Sequence, residues 1–283
     1  MKLGVSLWLW TSPITNEIIE EYAPKIAAMG FDTIEVPLED PDGLDCSAAR
    51  KIIEKHGLDV TCCAAMGPGR DIVHPDLSVQ KDGMEYLQKA ILAAAELGSD
   101  VLAGPVYAEV GRLWSMTDEE RKIHEDLLVA QLLKLSKHAN THGITICVEA
   151  LNRFETSFLN LTSQVKKIIE MVNEPSCKIC LDLFHAGIEE KNLGDAIRLA
   201  GDHLFHLQVA ENDRGTPGTG QLNWEEVAGA LKGIGYNRQV VIETFSPGNK
   251  NLAKAASIWR PLADSPDKLA TDGLHFLRKL LNV

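Results

Sequence analysis

Four short apolar runs in this chain each end on a polar residue of a type that can hold a hard cation. ITICVE ends on Glu149, KICLD on Asp182, FHLQ on Gln208 and VVIE on Glu243. Each run has the aliphatic, β-branched composition of a strand and breaks at once into a polar segment. Three carboxylates and a carboxamide at four strand ends make an oxygen-rich set suited to Mn2+, with Mg2+ or Co2+ as substitutes, rather than to zinc. Side chains alternate along a strand, so if Glu149 faces inward, Cys147 and Thr145 do too. The same phase pairs Cys180 with Asp182, His206 with Gln208 and Val241 with Glu243, leaving a ligand-type residue at the rim of every run.

Converging carboxylates without a cation repel one another and lose hydration, a cost that a divalent ion removes. An ion held there would polarise the carbonyl of an α-hydroxyketone and stabilise the enediolate formed on deprotonation of the adjacent carbon. Glu149 and Glu243, on opposite sides of such a substrate, would then serve as the acid/base pair. Proton return to the opposite face gives epimerisation, and transfer on one face gives aldose–ketose isomerisation. Loss of a β-substituent gives elimination. Further candidates follow the strand ends closely: Glu155, His185 and Arg214 for substrate contact, with Asp213 or Glu211 as other partners for Arg214. Trp8 and Trp114 are aromatic walls that suit a sugar face, and His206 is a supporting residue one inward step below Gln208.

Positioning four such residues at one place requires parallel strands with a common rim. Strand patterns fall near 3–10, 33–38, 59–66, 101–107, 144–151, 177–184, 204–210 and 239–245, with amphipathic helical patterns between and after them. Glycines at 30, 57, 98, 143, 201 and 235 stand just past helical runs, where a left-handed cap would feed the next strand. Eight strand–helix units with no GxGxxG turn after the first strand predict a (β/α)8 TIM barrel, an α/β fold, rather than an open dinucleotide-binding sheet. The 283 residues fit one such domain, 1–283. A net charge of −12 argues against a nucleic-acid partner, and MKLGVSLWLW is too short for a membrane span, which points to a cytoplasmic enzyme. The six cysteines lie mostly in apolar strands and read as buried, reduced thiols; Cys177 and Cys180 form a CxxC without a second pair.

ALNRFE at 150–155, LDLFHAGIEE at 181–190, the R-x2-PG-x-G-x3-W pattern from Arg214 to Trp224, and IETF followed by IWRPL at 258–262 occur in an order that resembles the ketose 3-epimerases acting on D-tagatose and D-psicose. These belong to the xylose-isomerase-like TIM-barrel superfamily, and the resemblance runs over the whole chain. It implies a metal set of Glu149, Asp182, Gln208 and Glu243, substrate contacts from Glu155, His185 and Arg214, a keto-sugar substrate and a homo-oligomer. Two departures stand out: Gln208 replaces the family's metal-binding His, and AENDR replaces a segment expected near GEANR. Gln at that position and the PGTG segment are also similar to hydroxypyruvate isomerases. The metal-binding subunits of C-glycoside deglycosidases, which act on 3-oxo-glycosides with a small partner subunit, share the superfamily. Its endonuclease branch needs a histidine-rich multi-zinc site and a basic cleft, which this acidic chain lacks.

Overall fold

In a computed structural model describing residues 1–283, the side chain of Asn251 excepted, eight parallel strands close into a barrel in sequence order. They are β1 (Lys2–Ser6), β2 (Thr33–Pro37), β3 (Asp59–Cys63), β4 (Val101–Gly104), β5 (Thr145–Glu149), β6 (Cys177–Asp182), β7 (Leu204–Val209) and β8 (Gln239–Ile242). The helices are α1 (Asn16–Met29), α2 (Cys46–Lys55), α3 (Leu77–Leu97), α4 (Asp118–Thr141) and α5 (Thr162–Val172), then α6 (Leu183–Glu189), α7 (Leu193–Ala200), α8 (Trp224–Gly233), α9 (Lys250–Ala255) and α10 (Pro266–Leu281). All eight expected strands are present, and the (β/α)8 fold class is as the sequence predicts.

All eight strands stop short of the expected C-terminal end. After Ser6 the chain turns into a 3-10 segment, Leu7–Leu9, and after Glu149 and Ile242 it leaves the sheet to build the rim loops. The apolar pattern continues past the ladder because residues such as Leu151 and Phe245 are buried beneath those loops. Alternation then sorts each strand into two faces. Ile144, Ile146 and Val148 join the main core between barrel and helices, while Val101, Ala103, Cys147 and Cys180 pack together as a separate small-residue cluster. Buried aliphatic side chains of this kind contribute about 1.5–3 kcal/mol each on leaving water.

Helix starts follow local chemistry. Thr117 caps α4 through a reciprocal box with Glu120, and Ser265 caps α10 ahead of Pro266 at the first helical position. Of the expected glycine caps, Gly30 and Gly98 adopt the left-handed conformation, whereas Gly201 has a positive φ but ψ −131°, outside it. Gly104 ends β4 at φ +129°, where a Cβ would collide with the carbonyl of Ala64. All six cysteines are free and buried, and among the described residues no helix is long and apolar enough to cross a membrane.

Candidate active site

Strand ends β5, β6, β7 and β8 bring Glu149, Asp182, Gln208 and Glu243 to the C-terminal mouth of the barrel, all four buried. In ladder register, Asp182 lies beside Gln208, Gln208 beside Val241, and Glu149 beside Cys180. Candidate donor atoms of Glu149, Asp182 and His185 lie within 4.8 Å of one another, and those of Glu35, Cys63 and Glu243 form a second such group. Arg214 joins the two: its Nη1 donates to Asp182 Oδ2 at 2.5 Å and to Glu243 Oε2 at 2.9 Å.

Arg214 sits at φ +65°, in the left-handed region, one residue after the loop's Asp213. Its N–H donates to the carbonyl of Glu211 and its own carbonyl accepts from the Thr244 hydroxyl, so contacts on both sides hold that conformation. The guanidinium lies between Phe184 and Phe245, 4.3 Å and 5.2 Å from the ring centroids. Asp213 pairs instead with Arg260, and Glu211 accepts from Trp224 Nε1 and the Gly218 N–H, which ties down the PGTG loop. Arg214 therefore finds its partners in the carboxylate cluster, not in the two acidic neighbours that the sequence offers.

The electrostatics follow from burial. Desolvation pushes the Glu149 carboxyl well above the usual carboxylate range, the charges of Glu243 and Asp182 add to this, and Arg214 partly opposes it. Glu243 moves the same way, chiefly through desolvation, with Arg214 opposing and Asp182 reinforcing. Burial, helped by Arg214, drops His185 to about 4, so its ring is neutral at physiological pH.

His185 Nδ1 accepts the Asn152 N–H at 3.1 Å. Nε2 lies 2.9 Å from Arg214 Nη2, with Glu149 and Asp182 at 3.6 Å and 3.7 Å. Donors thus approach both ring nitrogens, of which a neutral imidazole offers only one as acceptor. Glu155, only partly buried, accepts from Asn152 Nδ2 at 2.8 Å. Trp8 packs on Cys63 and Phe245 at the edge of the second donor group, and its buried Nε1 has no partner. The ring of Trp114 packs on Phe158, His124 and the Arg112 guanidinium, none of them in the carboxylate cluster.

Two residues that sequence reasoning did not single out complete the site. Glu35, fully buried on β2, accepts from His206 Nε2 at 2.7 Å, from Thr61 Oγ1 at 3.3 Å and from Gln208 Nε2 at 3.0 Å. Its signal was a lone carboxylate inside the apolar run TIEVP, in mid-strand rather than at a strand end. Asn152 links His185 to Glu155 and lies within the NRFE motif. His206, one inward step below Gln208, reaches Glu35 rather than any of the four rim residues. The carboxamide nitrogen of Gln208 donates to Glu243 at 2.8 Å and its oxygen accepts from the Cys180 thiol at 3.2 Å.

A closed eight-stranded parallel barrel with acidic ligand-type residues on its C-terminal rim is the architecture of the xylose isomerase-like TIM barrels, and the chain belongs to that family, whose model matches residues 23–280. Within it, the chain is 33% identical to a probable ketose 3-epimerase of Synechocystis, over 99% of this chain and 96% of the relative. It is 30% identical to the ketose 3-epimerase of Arthrobacter globiformis, over 99% of this chain and 97% of that one. A solved L-ribulose 3-epimerase superposes with a TM-score of 0.93 at 30% identity, covering 99% of this chain and 94% of that structure. A D-psicose 3-epimerase crystallised with D-fructose gives 0.91 at 28% identity, with each chain covered in full. The chain thus belongs with the ketose 3-epimerases among these barrels, a family of sugar epimerases.

Proposed function

We propose that the protein inverts the carbon next to the carbonyl of a free ketose, with Glu149 and Glu243 as the proton-transferring pair and a divalent ion, Mn2+ above all, at the shared carboxylates. The observation that carries this reading is the burial of three carboxylates around one guanidinium. Two of them, Glu149 and Glu243, are pushed toward their protonated forms by desolvation, Glu149 further by the charges of Glu243 and Asp182, and Glu243 by those of Asp182 and Glu35. Such a set is costly to maintain for stability alone, and it fits a hard cation. Glu149, Asp182 and Glu243 would hold the ion, and Gln208 borders the same oxygens. When bound, the ion would act as a Lewis acid on the substrate's carbonyl and hydroxyl oxygens.

The chain's own residues supply the rest. Glu149 and Glu243 sit on β5 and β8 rims, so one takes the proton from carbon on one face and the other delivers a proton on the opposite face. A carboxyl held above its usual pKa is matched to that exchange near neutral pH. His185 and Glu155 contact substrate hydroxyls, and Arg214 anchors an oxygen beside the carbonyl while fixing Asp182 and Glu243. Several of the relatives that match are named for D-psicose or L-ribulose, which supports a free ketohexose or ketopentose as substrate. The test is turnover of D-fructose, D-tagatose, D-psicose and L-ribulose by Mn2+-loaded protein in D2O. Deuterium at C3 of both epimers is expected. Product formed without any hydrogen exchange or transfer at C3 would end the reading.

A further inference from the structure

The floor of the site is a continuous chain of polar groups running from β3 to β8: Thr61, Glu35, His206, Gln208 and Glu243, each buried. Both hydrogens of the Gln208 amide are used, one on Glu35 Oε1 at 3.0 Å and one on Glu243 Oε1 at 2.8 Å. Its carbonyl is used too, accepting the Cys180 thiol at 3.2 Å. Turning the carboxamide over would aim a carbonyl oxygen at two carboxylate oxygens and a nitrogen at the sulfur. That arrangement needs an added proton on each of two carboxyl groups, and the cost of an unpaired buried acceptor otherwise falls on the site. Glu35 is itself fixed by His206 and Thr61, so it decides which end of Gln208 meets Glu243.

We infer that in this chain Gln208 is a positioning residue for Glu243, oriented by Glu35, and not an oxygen ligand of the ion, which is then held by the three carboxylates Glu149, Asp182 and Glu243. This rests on the metal-assisted reading above. Glu243 thus has its two oxygens assigned to different donors, Oε1 to Gln208 and Oε2 to Arg214. A carboxylate fastened at both oxygens keeps one face toward the substrate carbon, which is what a proton-transferring group needs.

Mn2+ binding measured by calorimetry and by the free-ion EPR signal, together with kcat and KM on the best ketose, separates the roles. Wild-type protein and Asp182→Asn test the metal reading: saturable Mn2+ binding that weakens at least tenfold in Asp182→Asn supports it, and no saturable binding by wild type overturns it. Gln208→Leu and Gln208→Met, with Tm as the check on folding, test the inference. Mn2+ affinity within about threefold of wild type, with kcat down tenfold or more and KM little changed, is the expected result. Glu35→Gln should reproduce the kcat loss in the Gln208 background but add nothing in Gln208→Met. A tenfold or greater loss of Mn2+ affinity in both Gln208 variants, matching Asp182→Asn, would make Gln208 a ligand and overturn the inference, as would unchanged kcat.

Discussion

His206 Nε2 lies 2.7 Å from Glu35 Oε2, joining strands β7 and β2 across the interior of the barrel. Neither strand is hydrogen-bonded to the other, so this side-chain contact ties together parts of the sheet that the ladder does not. It also leaves Glu35 with a strong donor at a depth where an unpaired carboxylate is expensive.

Removing that donor should therefore destabilise the fold. His206→Ala is expected to cost about 2 kcal/mol, the order seen when a buried acceptor loses its hydrogen-bond donor. Glu35→Leu combined with His206→Ala should recover part of the loss, because no buried carboxylate then remains. Urea unfolding of both variants measures it; an equal or larger loss in the double variant would show that the pair is not the source.

Glu149→Gln and Glu243→Gln should each fold, since the carboxamide is near-isosteric with the carboxylic acid. Turnover should fall by about two to four orders of magnitude, as a positioned acid/base group contributes. Steady-state kinetics and circular dichroism on the two variants decide this. Near-normal turnover in either would remove that residue from the proton-transferring pair.

Arg214→Lys keeps a positive charge but loses the fork that spans Asp182 and Glu243 at 2.5 Å and 2.9 Å. A drop in kcat/KM of about a hundredfold is expected, equivalent to losing a charged hydrogen bond of about 3 kcal/mol. Retained Mn2+ binding in the same variant distinguishes a substrate contact from an ion ligand.

His185 should make stability fall on the acid side. Its folded pKa is dropped from 6.5 to about 4 by burial and by Arg214. A depressed folded value means the unfolded chain binds the proton first. The contribution is complete above 6.5 and is lost as pH falls toward 4, about 3 kcal/mol in full. Denaturant titrations between those limits should show a shallower decline in His185→Asn; an unchanged slope would mean that the ring is not held neutral.

The two raised carboxyls act in the opposite direction. Glu149 and Glu243 titrate above their ordinary range in the fold, chiefly through burial, so their contribution is present below the unfolded value and lost as pH rises through the folded one. A cation that binds the ionised forms offsets this loss. The rise in Tm produced by Mn2+ should accordingly be larger at pH 8 than at pH 6, and a shift that is independent of pH would count against these two residues as ligands.

Periodicity and strand-end chemistry determined a great deal by themselves. Alternation within ITICVE, KICLD, FHLQ and VVIE decided which residues share a barrel face, because successive side chains on a strand must point to opposite sides. The eight apolar runs with intervening helices left the closed barrel as the way to bury them all. What alternation could not supply was partner choice across the barrel. Glu35 occupies mid-strand on β2, and its value comes from His206 and Gln208, which follow it by more than 170 residues and reach it only once the sheet has closed. The same holds for Arg214, expected to contact substrate with Asp213 or Glu211 as alternative partners: a left-handed turn at φ +65° carries its side chain away from those neighbours and into the cluster of Asp182 and Glu243. The direction in which the Gln208 carboxamide points was beyond any sequence pattern. It depends on which of two nearly identical ends finds donors or acceptors in three-dimensional space, and that was settled by the thiol of Cys180 on one side and two carboxylates on the other.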